Sequence, residues 1–253
     1  MKELSAIGAD LHIHTALSPC ADKEMTPPAI VHEAVRKGLS LIAICDHNSS
    51  ANAAAVQEAA GDGLTVLAGV EVTTAEEVHV LGIFPDAPAA RRVAEDIAAA
   101  LPVAAPDYFE RFGVQLLMDA RGQSVGRMEK MLVTASVFSL SEVVNRITNG
   151  SGLAIAAHTN RPSFSVISQL GDFPSGVRFS AIEVTARRPE GRIGVLLAQS
   201  GFPMVASSDS HRLEDIGSSR TLLRMRRASF DELGMALRGE GGRRIESLVL
   251  ANA

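Results

Sequence analysis

Six of the chain's seven histidines, with one glutamate and one aspartate, fall in short polar clusters that interrupt apolar runs. These are His12 and His14 in DLHIH, His47 in CDHN, Glu71 in GVEVT, His79 in VHVLG, His158 in AAHTN, and Asp209 with His211 in SSDSH. Imidazole and carboxylate, with almost no thiolate, form a donor set suited to Zn, Mn or Fe, and a carboxylate among imidazoles can bridge neighbouring ions. In an extended strand alternate side chains share a face, so His12 and His14 point one way and Leu11 and Ile13 the other. Any one histidine at a strand end is more often a hydrogen-bonded structural residue than a ligand. Their joint occurrence points to a centre of two or three divalent ions. The remaining histidine, His32, lies about 200° from Ile30 on a helix and beside Arg36, and it reads as solvated.

The elements that must position these groups alternate along the chain. Residues 5–14 read as a strand, broken by Ser18-Pro19-Cys20-Ala21-Asp22. Thr26 stands as an N-cap with Pro27 at the first helical position, and Gly38 ends that helix. Residues 39–45 are a continuous apolar run too short for a helix, hence a strand buried on both faces as a parallel sheet requires. A helix at 51–60 and strands at 64–72 and 78–84 follow. The alternation then breaks between about 85 and 140, where a helix at 87–101 leads to Tyr108, Phe109 and Phe112 and to a polar stretch with Gly122 and Gly126. This reads as an insertion, a small helical and hairpin subdomain. Beyond it come a helix at 141–148, strands at 152–157 and 179–185, a helix at 192–200, a strand at 203–207, a strand-like piece, a helix at 230–238 and a tail. The expectation is an α/β fold, one barrel domain over residues 1–253 with its reactive groups gathered at the strand ends.

Composition narrows the function. A chain of 253 residues with 46% apolar content can bury a large core, and its formal charge of −5 offers no footprint for non-specific nucleic-acid binding. Aromatic residues are 4% of the chain, so a platform for stacking bases is not expected. Two cysteines make no disulfide framework, and no run approaches the roughly 20 apolar residues of a membrane span. A soluble, cytoplasmic protein is expected.

The series DLHIH, CDHN, GVEVT, VHVLG, AAHTNRPSF and SSDSH, in this order over residues 10–211, resembles the motif series of the PHP (polymerase and histidinol phosphatase) family of metal-dependent phosphoesterases. The resemblance implies a distorted TIM-like barrel of seven strand-helix units, (β/α)7, and a site of two or three metals. His12, His14, Glu71 and Asp209 would hold the first ion, Glu71, His79 and His158 the second, and His47 and His211 part of the third. Family members carry an Asp or His in the loop after the first two histidines as a further ligand to the third ion. Here that loop reads ALSPCADKEM, in which Asp22 keeps the carboxylate chemistry and the distance to the next helix, while Cys20 better keeps the distance from His14. Asp22 is the preferred assignment. A thiolate would bias the site toward zinc, and a loop that binds nothing would leave two ions.

A metal-bridging hydroxide would attack in line, with the cations facing the phosphate oxygens. Asp46 is placed beside the reaction, more as the partner orienting an imidazole than as an acid. Arg161 follows His158 closely enough to clamp a phosphate, with a surface ion pair the equal alternative, and Arg212 is a weaker candidate. Pro162, Ser163 and Phe164 are expected at the pocket. GQSVG, 122–126, matches a nucleophile elbow but lacks a buried strand before it, so a hairpin turn is expected there. The expected activity is hydrolysis of a small phosphomonoester, such as a nucleotide, with no membrane partner. The alternatives are a phosphodiesterase or short-oligonucleotide exonuclease, the only form in which nucleic acid would bind, and a non-catalytic metal-binding regulatory domain.

Overall fold

The computed structural model describes residues 3–251. Strand β1 (Ser5–Ile13) pairs in parallel with β2 (Leu41–Ile44), and β2 with β3 (Thr65–Thr73), with helices α1 (Pro27–Arg36) and α2 (Ala53–Ala60) as the crossovers. Strand β4 (His79–Phe84) then runs antiparallel to β3, because the short connection Thr74-Ala-Glu-Glu-Val78 admits only a hairpin. Its other neighbour, β7 (Leu153–Ala156), is antiparallel to it as well. Parallel pairing resumes through β8 (Ala181–Val184) and β9 (Met204–Ala206), connected by α7 (Gly191–Gln199). Of the strands from β1 to β4 and β7 to β9, β4 alone runs against the others. Because β4 is reversed, its start lies on the same rim as the ends of the others, which puts His79 among the remaining histidines.

The sheet nearly closes. Beyond β9 the backbone of Ser210 exchanges hydrogen bonds with His12 and His14, while the Thr221 hydroxyl joins Ala206 to β10 (Arg220–Met225), which pairs antiparallel with β1. With β11 (Arg244–Val249) on the far side of β10, the sheet has nine strands among the described residues. The seven from β1 to β4 and β7 to β9 form the barrel wall.

Alternation along the strands divides the apolar residues into an inner set, including Leu11, Leu41, Ala43, Leu81, Ile155, Ala181 and Val205, and an outer set under the helices, including Ile42, Ile44, Val80, Ala156 and Ile182. Helix α8 (Phe230–Arg238) supplies Leu233, Ala236 and Leu237 to the inner set. It lies at the strand-start end, where Thr65 donates its hydroxyl to Ala228 O.

The first strand carries a refinement of the expected pattern. Three steps of β1 from Asp10 to Ile13 face two steps of β2 from Ile42 to Ile44, so one residue of β1 is bulged. Leu11 consequently stays with the inner set while Ile13 joins the outer one, and His12 and His14 are both turned toward the centre of the rim. Asp10, buried beside the bulge, accepts hydrogen bonds from Ser208 and Gly217 and fastens β1 to the closing segment. Burial pushes its pKa up to about 6, against the pull of the donors from Ser208, Gly217 and His12.

Between β4 and α5 (Leu140–Asn149) lie α3 (Ala87–Ala99), α4 (Pro106–Phe112) and a hairpin of β5 (Leu116–Met118) and β6 (Ser124–Arg127). Gly122, with φ 77°, makes the hairpin turn, and Ser124 is exposed in β6, so GQSVG is not a nucleophile elbow. The Asn48 amide donates to Leu132 O and Thr134 O and that of Asn52 to Leu116 O, which moors this region to the loops of the rim. Among the described residues no helix is long and apolar enough to cross a membrane.

Candidate metal centre

His12, His14, His47, Glu71, His79, His158 and Asp209 are buried, and His211 is partly so, where the strand ends meet. His12 Nε2 and His14 Nε2 are 3.1 Å apart, and Asp209 Oδ1 lies 3.3 and 3.1 Å from them. Glu71 faces the same pair, Oε1 at 3.5 Å from His12 and Oε2 at 3.4 Å from His14. A second triangle joins His79 Nδ1, Glu71 Oε1 and His158 Nε2, with sides of 2.8, 3.1 and 3.2 Å. In a third group, donor atoms of His14, His47 and His211 lie within 4.8 Å of one another.

These spacings fit divalent ions. Nitrogen and oxygen ligands at about 2.0–2.1 Å from one tetrahedral ion stand about 3.3 Å apart, the edge length found in the first group. His47 Nδ1 and Glu71 Oε2 approach to 2.8 Å, yet each is buried without a hydrogen-bond partner, as donors aimed at an ion are. The protonation pattern agrees. Burial pushes the His12 and His47 imidazoles toward neutrality, but Asp209, Glu183 and Glu71 hold His12 well above its ordinary pKa, and Glu71 and Cys20 do so for His47. Burial and its histidine neighbours leave His14 well below the ordinary value. Burial raises the Glu71 and Asp209 carboxyls, but the surrounding imidazoles outweigh it and hold both low. The clustered carboxylates therefore demand positive charge at this point, the demand a divalent ion meets.

The supporting residues are as ordered as the cluster. Glu183, inside the apolar strand β8, places Oε2 3.0 Å from His12 Nδ1 and accepts the His158 backbone N–H at 2.9 Å. No role for it was anticipated, although a glutamate in the apolar run AIEV is the signal that marks it. The Ser18 hydroxyl donates to Asp46 Oδ1 at 2.7 Å and lies 2.8 Å from His14 Nδ1. Asp46 also accepts from the Thr15 N–H and hydroxyl, so it is saturated below the rim. Ser18 links it to His14, and Asp46 itself is fully buried and absent from the lining of the pocket above the cluster. His158 and Asp209 adopt φ of 30° and 53°, left-handed conformations rare outside glycine and concentrated at functional sites.

Of the expected ligands, Asp22 is the one the structure does not bring to the cluster. Its carboxylate is exposed and lies 3.7 Å from the Arg212 guanidinium, a surface pair that accounts for both side chains. In the same loop Ser18 accepts the His47 N–H and the Asp22 N–H donates to His211 O, so Cys20 lies between two segments tied to the rim. Burial raises the Cys20 thiol, but hydrogen bonds to His211 and His47 outweigh this and bring it down to about 6. Arg161 does reach the site, with Nη1 2.6 Å from Asp209 Oδ2 and nearly half of its side chain open to solvent.

A barrel whose strand ends converge on histidines and shared carboxylates defines a metal-dependent hydrolase class. Within that class the PHP domain model matches residues 10–149 and the PHP-associated model residues 192–240. The chain belongs to the PHP domain family. It is 37% identical over 87 residues to the 5′-3′ exoribonuclease Rnm of Escherichia coli, a match covering 32% of this chain and 29% of that protein. A 5′-3′ exoribonuclease of Haemophilus influenzae is 33% identical over 78 residues, covering 29% and 27%. The chain thus aligns with less than a third of the length of these curated relatives. Among solved structures, the lesion-specific endonuclease Q of Pyrococcus furiosus superposes with a TM-score of 0.75 at 20% identity, covering 96% of this chain and 58% of that one. A candidate metal-dependent phosphoesterase of Bifidobacterium adolescentis gives 0.57 at 23% identity, covering 83% and 89%. Both likenesses concern the fold.

Proposed function

We propose that this chain is a metal-dependent phosphoesterase that cleaves the terminal phosphodiester of short oligonucleotides. The observation that carries this reading is the pocket above the donor cluster. It has a volume of about 190 Å³ and is lined by six of the proposed ligands together with Arg161, Ser163 and Phe164. A space of this size takes a phosphate with its sugar, as the end of a short strand would present it. The relatives named as exoribonucleases support the nucleic-acid substrate.

When bound, divalent ions supply a water-derived nucleophile at neutral pH and positive charge against the phosphate oxygens. His12, His14, Glu71 and Asp209 would hold one ion, Glu71, His79 and His158 another, and His47, His211 and Cys20 a third. Glu183 and the Ser18-Asp46 pair fix the rings of His12 and His14, so the donors keep their geometry as substrate arrives. The Arg161 guanidinium, anchored through one nitrogen on Asp209, has further N–H groups for a non-bridging phosphate oxygen. A nucleotide phosphomonoester is the second reading, favoured by the same small volume.

Protein reconstituted with Mn or Zn and presented with nucleoside monophosphates, short oligonucleotides, long single strands and duplexes separates the two. Mononucleotides released progressively from short strands are the expected products. Turnover of monophosphates alone would replace the proposed reading by the second, and no turnover of any phosphate ester would refute both.

A further inference from the structure

One aromatic ring borders the pocket, in a chain whose composition argued against any stacking platform. Phe164 lies on the imidazole of His79, with ring centroids 4.8 Å apart and an angle of 24° between the planes. The residue is nevertheless 41% exposed, so a large part of it stays open to solvent beside the pocket. We propose that Phe164 is the platform on which the nucleobase next to the scissile phosphate stacks. The substrate would then be recognised by the plane of its base as well as by its phosphate. The inference rests on the nucleic-acid reading above and specifies how that site selects its substrate.

Two further observations support it. First, Phe164 has φ 55°, a left-handed backbone conformation that strains a bulky side chain and persists only where the surroundings impose it. They do so here: the His79 N–H donates to Phe164 O at 2.9 Å, and the Ser165 hydroxyl donates to Arg161 O at 2.8 Å. Val166, two residues on, is fully buried, so the same turn had access to the core for an apolar side chain. The ring is held out of the core at a conformational cost.

Second, Arg161 and Phe164 belong to one turn, closed by that Ser165 hydrogen bond, and both border the pocket. A cation for phosphate and a flat ring for a base are the two elements that nucleotide recognition requires. A ring that served only to shield His79 would need neither the exposure nor Arg161 in the same turn. Stacking on an aromatic ring is worth about 1–3 kcal/mol per base, which is roughly a 5- to 150-fold difference in affinity.

Calorimetric binding to the metal-loaded protein tests this, with adenosine 5′-monophosphate and ribose 5-phosphate as probes. Wild type should prefer the nucleotide by at least about 5-fold. Phe164→Leu keeps an apolar cover on His79 and should abolish that preference while leaving ribose 5-phosphate affinity and metal content unchanged; Phe164→Trp should retain it. Equal affinity of wild type for the two probes would overturn the proposal. So would a Leu variant that still prefers the nucleotide, or one that loses metal or ribose 5-phosphate along with it, since the ring would then be only a shield. Binding does not require turnover. Base preference without oligonucleotide hydrolysis therefore counts against the proposed reaction alone, and hydrolysis without base preference counts against the platform alone.

Discussion

Two residues carry most of the consequence at the scale of single side chains, and neither is in a histidine motif. Glu183 is fully buried and binds His12 through one oxygen that also accepts the His158 backbone N–H. Replacing it with glutamine keeps the shape and the bond to His158 but removes the charge that stabilises the His12 ring. Loss of such an outer partner typically costs 10- to 100-fold in metal affinity, so Glu183→Gln should bind Mn or Zn about that much more weakly in a competition titration with a chelator. Unchanged affinity would reduce Glu183 to a packing residue. Cys20 is the second. It is exposed while Cys45 is buried, so alkylation of the metal-free protein should modify Cys20 alone, and saturating zinc should protect it. Asp22→Ala should leave that protection intact; its loss would restore Asp22 as the third-site ligand. The six histidines, Glu71 and Asp209 were legible because each ends or begins an apolar run. Cys20 and Asp22 lie in a loop, where spacing along the chain says little about direction in space; Phe164 was expected at the pocket, but a composition that counts aromatics without placing them argued against a stacking role for it.

At the scale of elements, the close approach of strands sets the rim. Gly69 in β3 is packed so tightly that an added Cβ would lie 2.7 Å from Cys45 Sγ and 2.9 Å from Gly82 O. Gly69→Ala must push β3 away from β2 or β4, and overpacking of this kind costs about 1–3 kcal/mol, measurable as a lower denaturant midpoint. Helix α8 offers a pH test well away from the metals. The Arg243 guanidinium binds both oxygens of Glu232 at 2.7 and 3.0 Å, and Arg226 N–H adds a third bond. Together they bring the Glu232 carboxyl down from 4.5 to about 2 despite its burial. A depressed acid contributes stability that is complete above its unfolded pKa and is lost as pH falls through the folded one. Glu232→Gln should therefore be less stable than wild type at neutral pH, with the gap closing between pH 4.5 and about 2. A gap that persists at the acid end would show that the pair acts by shape. The alternation of helices and strands could be read from apolar runs, and the direction of β4 was also accessible, since a crossover needs about a dozen residues and five are available. The bulge in β1 and the edge strand β11 were not: a one-residue insertion leaves no compositional trace, and the half-exposed RIESLV reads as tail.

On the scale of the whole molecule, charge and pocket size set opposing limits on the substrate. A net charge of −5 repels a long polyanion, while Arg161 and a metal-loaded donor cluster would attract one or two phosphates at close range. Short strands should then bind mainly through the pocket. For single strands each neutralised phosphate contributes about −0.7 to the slope of log affinity against log salt, so one or two contacts give a slope of about −0.7 to −1.4. Measured by fluorescence anisotropy with metal-loaded protein, that slope should stay the same as the oligonucleotide is lengthened, because added phosphates fall outside the site. A slope that steepens with length would reveal an extended basic track, and would move the reading from a pocket for chain ends to a groove for continuous strands.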